Sequence, residues 1–163
     1  MRISESKILS NLQKKELFGL WNNEYPETLN FTGIEEFEDY LRGLKDHYHI
    51  LLTHPHKGIV GWYFDFIRED KRWFLLILDS NFQTQGLGSK LLDLAKTKRQ
   101  ELHGWVIPES NLKKSDGRPY GSPIRFYKKQ GFDLRNNERL EKQGFSAVKI
   151  VWQSSPGFRN KVR

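Results

Sequence analysis

Apolar residues recur at near-helical spacing between Ser4 and Trp21, at Ile8, Leu9, Leu12, Leu17, Leu20 and Trp21. The spacing predicts a first helix, broken by Asn22-Asn23-Glu24-Tyr25-Pro26. Thr32 and Glu35 stand at capping-box spacing before a second helix, whose apolar stripe is Ile34, Phe37, Tyr40, Leu41 and Leu44 and whose exposed side is acidic. The pattern then turns strand-like in three runs, His49 to Thr53, Ile59 to Ile67 and Arg72 to Leu78. The separators between them have hairpin lengths, so the three strands are expected to be antiparallel neighbours.

Leu87, Leu91, Leu92, Leu94 and Ala95 form the stripe of a third helix, expected to end near Glu101, and Gly104 to Ile107 reads as a short strand. Asn111 to Gly121, rich in Lys, Ser, Asp, Gly and Pro, reads as a loop. A short fourth helix over Pro123 to Gln130 carries clear punctuation: Ser122 as N-cap, Pro123 at the first helical position, Gly131 as the stop and Phe132 packing back. Phe132 to Leu134 and Ala147 to Gln153 read as the last strands. No repeat or linker divides the chain, and 163 residues suit one domain spanning 1–163.

Composition supports a packed, aromatic-rich core: 37% of residues are apolar, with eleven Phe, six Tyr and five Trp. The first twenty residues lack the apolar core of a signal peptide, and the run Trp73 to Leu78 is far too short to span a bilayer. A cytoplasmic protein without membrane contact is the expectation. The absence of cysteine excludes disulfides, thiolate metal sites and a Cys acyl-enzyme. His47, His49, His54 and His56 fall close together, but Pro55 and the adjoining turn argue for a polar strand and hairpin tip, so no metal is expected. Charge is uneven. Residues 1–80 carry 10 Lys/Arg against 13 Asp/Glu, and residues 81–163 carry 17 against 7, which points the C-terminal half toward an anion.

The most informative chemistry is a buried strand running through Gln83-x-x-Gly86-x-Gly88 into a helix. Glycine permits close backbone approach, and the free amides and positive end of a helix N-terminus favour phosphate oxygens. Other phosphate loops fit poorly: a dinucleotide fingerprint needs glycine where Leu91 stands, and a P-loop needs Gly-Lys-Ser/Thr where Gly88-Ser89-Lys90 stands. The stretch Leu78-Asp79-Ser80-Asn81-Phe82-Gln83-Thr84-Gln85-Gly86-Leu87-Gly88-Ser89-Lys90-Leu91-Leu92 closely resembles motif A of the GNAT N-acetyltransferase superfamily. Some forty residues on, Ile124-Arg125-Phe126-Tyr127-Lys128-Lys129-Gln130-Gly131-Phe132 resembles its second signature, a Tyr-x-x-x-Gly-Phe helix end. With the order of elements, the resemblance covers about residues 48–153.

The resemblance implies an α/β (α+β) GNAT fold: a mixed, mostly antiparallel sheet of six to seven strands, splayed at its middle, with about four helices. It also implies an acyltransferase that moves acetyl from acetyl-CoA to a primary amine within a ternary complex. The cosubstrate would meet Leu78, Asp79 and Ser80 at the strand end, and Gln83, Thr84, Gln85, Gly86, Leu87, Gly88 and Ser89 at the pyrophosphate. Lys90, Lys128 and Lys129 would serve the adenosine-side phosphates. Tyr127 matches the family tyrosine that protonates the departing thiolate. In many relatives an Asn precedes that Tyr by seven residues and an Ala by four; here they are Tyr120 and Pro123, which puts the usual Asn contact in doubt.

For the general base the candidates are Asp79, Glu24, Asp65 and Glu109, with Glu24 at the break after the first helix. The acidic first half favours a small amine or peptide amine of cationic character as acceptor, in a monomer or homodimer. Competing readings are a non-catalytic acyl-CoA-binding regulator and a basic nucleic-acid-binding module.

Overall fold

The computed structural model describes residues 1–108 and 111–155. Strands β1 (Arg2–Ser6), β2 (Lys45–His54), β3 (Gly58–Arg68), β4 (Lys71–Leu78), β5 (Glu101–Val106), β6 (Asp133–Lys142) and β7 (Phe145–Gln153) form one sheet in the order β1-β2-β3-β4-β5-β7-β6. Every pairing is antiparallel except β4 with β5. Helices α3 (Leu87–Lys96) and α4 (Ile124–Lys129) pack on one face, where Leu91, Leu92, Ala95 and Tyr127 join the apolar cluster. Helices α1 (Asn11–Glu24) and α2 (Ile34–Arg42) cover the other through Leu17, Leu20, Phe37 and Leu41. The β2-β3-β4 meander follows the predicted runs with longer ends.

Four expectations need correction. The chain begins with an edge strand before its first helix: β1 pairs from Arg2↔Thr53 to Ser6↔His49. The helix itself starts at Asn11, where Ser10 and Gln13 form a reciprocal capping box with bonds of 3.1 and 2.9 Å. At α2 the predicted box is replaced, because Thr32 Oγ1 donates to Glu36 at 2.6 Å and Gly33 is the N-cap. Helix α3 stops at Lys96, and Glu101 opens β5, where the fully buried Leu102 pairs with Trp152. Finally, β6 runs well beyond Leu134. It is an exposed, charged edge strand, so no apolar alternation marked it.

The sheet forks between β4 and β5. Among the described residues these strands register at one pair, Trp73↔His103, and then separate. Phe74 follows at the fork. Its ring occupies the space a side chain on residue 104 would need: a Cβ on Gly104 would lie 2.8 Å from Phe74 Cε1. The same ring contacts Tyr127 and Phe132, at centroid distances of 5.7 and 5.3 Å, so it has no free direction in which to retreat. Gly104→Ala is therefore expected to destabilise the protein by about 1–3 kcal/mol through overpacking, measurable by chemical denaturation.

Buried polarity on the α1–α2 face makes stability depend on pH. His49 is fully buried, and its Nδ1 accepts from Trp62 Nε1 at 3.0 Å, so the neutral ring carries its proton on Nε2, which has no partner among the described residues. Burial, with a smaller contribution from His47, pushes its pKa from 6.5 down to about 3. The unfolded chain therefore binds the proton that the folded chain refuses. The contribution is complete above pH 6.5 and is lost as pH falls toward 3. Unfolding free energy should fall by about 1.4 kcal/mol per pH unit from this group in that window, and His49→Asn should remove that part of the slope.

Candidate active site

The fork leaves the end of β4 with open backbone groups. Asp79 gives its amide to Val60 of β3 at 2.8 Å, so alternation along β4 turns the amides and carbonyls of Leu76 and Leu78 toward the gap. The Leu78 carbonyl there receives Gln83 Nε2 at 2.9 Å. An extended ligand lying in the gap would meet the Leu76 backbone and the Leu78 amide as a neighbouring strand would.

Beyond β4 the chain makes a 3-10 turn, Ser80–Phe82, capped by Asp79, whose Oδ1 accepts from the Asn81 amide at 2.8 Å. Phe82 is buried and anchors the turn. Gln85 Nε2 bonds Asn81 O at 3.4 Å, so the side chains of both Gln83 and Gln85 brace the loop from within. Thr84 and Gly86 have φ of +64° and +77°, and nothing lies within 4 Å of where a Gly86 side chain would begin. Helix α3 starts here. Its first helical bond is Lys90 N to Gly86 O, and the amides of Leu87, Gly88 and Ser89 have no acceptor among the described residues. This is an open cradle of N–H groups at a positive helix end, chemically suited to a pyrophosphate. Lys90, Lys128 and Lys129 are all exposed.

The two sequence motifs meet through their side chains. Gln130, at the end of α4, donates to Ser89 Oγ at 2.8 Å, and Lys96 Nζ donates to the Gln130 carbonyl at 2.5 Å. Gly131, at φ +88°, turns the chain so that the Phe132 amide returns to the Tyr127 carbonyl at 3.0 Å. Ser122 lies just before α4; its hydroxyl accepts from the Ile124 amide and donates to Ile107 O at 2.7 Å, tying α4 to the end of β5. Tyr127 thus sits on the α3–α4 face at the fork, between Phe74, Phe126 and Phe132. Its hydroxyl makes no hydrogen bond among the described residues. Burial, and then the neighbouring Tyr120 phenol, raise its pKa far above the usual phenol value. Tyr120 itself is pushed up to about 12 by burial.

The candidate carboxylates fare differently. Asp65 is fully buried and accepts from Tyr63 OH at 2.7 Å, Arg72 Nη1 at 3.2 Å, and Arg99 Nε and Nη2 at 3.0 Å each. That saturates it. Glu24 is the last residue of α1 and is buried, with contacts to Ser80 and Lys114. Asp79 is half-buried at the fork, and its Oδ2 has no partner among the described residues. Glu109 lies outside the described residues. Asn23, Glu24, Asp79, Ser80, Asp116 and Arg118 border a polar hollow of about 290 Å³. Lys114 and Arg118 carry no spacing signal, and sequence reasoning missed both.

Residues 45–134 match the acetyltransferase (GNAT) domain. Among solved structures, the chain is similar to an aminoglycoside 6′-N-acetyltransferase complexed with coenzyme A, at 15% identity over 96% of this chain and 98% of that one, with a TM-score of 0.71. The aminoglycoside 6′-N-acetyltransferase of Enterococcus faecium gives 15% identity, the same coverage of each chain and a TM-score of 0.69. A ribosomal-protein-alanine N-acetyltransferase of Escherichia coli gives 16% identity over 94% of this chain and 95% of that one, with a TM-score of 0.61. No curated protein matches the chain in sequence. No helix among the described residues is long and apolar enough to cross a membrane.

Proposed function

The chain belongs to the GNAT acetyltransferase family, and from that premise we propose that it moves the acetyl group of acetyl-CoA directly onto a primary amine while both substrates are held at the fork. The observation that carries this reading is the conjunction at one place of an unpaired β4 end, the N–H cradle of α3 and the Tyr127 phenol. Acetyl-CoA supplies the acetyl group activated as a thioester. The chain supplies the rest. Backbone groups of Leu76 hold the pantetheine arm as a strand would be held. Gly86 and the amides of Leu87, Gly88 and Ser89 receive the pyrophosphate, with Gln83, Thr84 and Gln85 shaping the loop. Lys90, Lys128 and Lys129 face the outer phosphates.

Asp79 takes the proton from the attacking amine, since its Oδ2 is the uncommitted carboxylate oxygen at the strand end. The C–N bond forms as the C–S bond breaks, and Tyr127 gives its proton to the departing sulfur. The Leu78 amide polarises the acetyl carbonyl as charge develops there. The acceptor is an amine of cationic character, small or peptide-borne, approaching past Asp79 and Asp116 at the polar hollow. The neighbours named above act on an aminoglycoside and on a protein alanine, so the shared fold leaves acceptor choice to such local chemistry.

The test is two-substrate kinetics. Direct transfer requires intersecting double-reciprocal lines when acetyl-CoA and amine are varied together. Parallel lines would indicate an acetylated enzyme and contradict it.

A further inference from the structure

Glu24 occupies a position that is unfavourable for a carboxylate on its own. It is an acid in the last turn of α1, where the helix dipole disfavours negative charge, and it is 7% exposed. Both of its oxygens are committed. Oε1 meets the Lys114 ammonium at 2.9 Å, while Oε2 accepts from the Ser80 amide at 3.0 Å and the Ser80 hydroxyl at 3.3 Å. Lys114 is itself buried, and comes from a loop 90 residues away in sequence. Ser80 Oγ also accepts from Arg118 Nη1 at 3.0 Å, and Arg118 is paired with Asp116.

The same loop is fastened to the end of α1 and the segment that follows it through Lys113 and Ser115 as well, Ser115 Oγ also accepting from Asn30 Nδ2. The Glu27 amide donates to Lys113 O at 2.8 Å, and Ser115 Oγ donates to Asn22 O at 3.0 Å. The loop is thus a strap over the α1 end of the fork. Glu24 joins this strap to the backbone amide of Ser80, the first residue of the turn that leads from β4 into the cradle, and Arg118 reaches the Ser80 hydroxyl from the strap directly.

We infer that Glu24 and Lys114 are a positioning pair for cosubstrate binding, acting through Ser80, and that Glu24 is not the general base. This rests on the acetyl-transfer reading above. A buried carboxylate that holds a backbone amide with one oxygen and an ammonium with the other is a poor base, because a proton taken there would leave the Lys114 charge uncompensated. What it does have is a rigid grip on the Asp79–Phe82 turn. Slack there moves the Gly86 to Ser89 amides relative to the open edge of β4, and one ligand must contact both.

The experiment compares Glu24→Gln, Lys114→Met and the double variant. In each, KM for acetyl-CoA should rise roughly tenfold, with kcat within a factor of about three and the pH profile of kcat unchanged. The double variant should be about as impaired as either single one, because the two residues act as a unit. Lys114→Met leaves a buried carboxylate unpaired, and Glu24→Gln leaves a buried ammonium facing a neutral amide; if either fails to fold, the double variant, which strands no charge, carries the comparison. A loss of about a hundredfold or more in kcat for Glu24→Gln, with KM unchanged and the acidic limb abolished, would make Glu24 the base and overturn the inference. So would folded variants with wild-type KM. Calorimetric titration of the wild-type protein separates the two levels. Absence of acetyl-CoA binding would overturn the parent reading, whereas normal binding by wild type and variants alike would overturn the pair alone.

Discussion

Replacing Tyr127 with phenylalanine should lower kcat by about two to four orders of magnitude, the range typical of a general acid, while leaving KM for acetyl-CoA near its wild-type value. The split follows from where the residue sits. The ring is part of the core, packed against Phe74 and Phe132, and phenylalanine preserves those contacts. The hydroxyl alone is lost, and it has no hydrogen bond among the described residues whose loss would disturb the fold. The pKa direction adds a second expectation. Because burial and Tyr120 raise the pKa, the phenol keeps its proton to higher pH than a free tyrosine. A group that must be protonated to act works below its pKa, so kcat should show no alkaline fall attributable to Tyr127 below about pH 10. A fully active phenylalanine variant would remove Tyr127 from the chemistry.

The second large effect is on stability. Asp65→Ala should cost about 3–5 kcal/mol and lower Tm by roughly 10 °C, because it removes the shared partner of two guanidinium groups. Arg72 and Arg99 keep side-chain exposures of 14% and 23%, too little to regain full hydration without movement. Asp65→Asn, which keeps the shape and one acceptor oxygen, should fall between wild type and alanine. The alanine variant should nevertheless turn over near the wild-type rate at temperatures where it remains folded. That outcome separates this saturated carboxylate from Asp79, whose replacement by asparagine should depress kcat and leave Tm nearly unchanged. Scanning calorimetry and initial rates on the same samples check both halves.

These two residues also show how far the sequence could be read. Tyr127 was legible because its context is local: a helix start at Ser122-Pro123 and a stop at Gly131-Phe132 place it on a short helix after a glycine-rich loop, and the structure puts that helix at Ile124–Lys129. Gln83 to Gly88 was legible for the same reason, since a positive φ at Gly86 and a helix beginning at Leu87 are properties of adjacent residues. Asp65 looked like any other strand carboxylate. Its meaning lies in Arg72, on the next strand, and Arg99, beyond α3, and no spacing rule links them. Glu24 and Lys114 are farther apart still. Strand β1 was misread because five residues at an edge are too few to separate strand from helix periodicity, and β6 because an exposed edge strand carries charges on both faces. Local backbone chemistry therefore announced the glycine-rich turn into α3 and the short helix that carries Tyr127. The partners that hold them became visible when the fold brought distant residues together.

Acetyl transfer at the fork requires that CoA thiol leave only when an amine takes the acetyl group. The most direct measurement follows release of the CoA thiol from acetyl-CoA while a panel of primary amines, cationic ones included, is offered to the purified protein. Thiol release should depend on an amine and should be suppressed in Tyr127→Phe. Thiol release that no amine accelerates above the background hydrolysis of acetyl-CoA would contradict transfer at the fork.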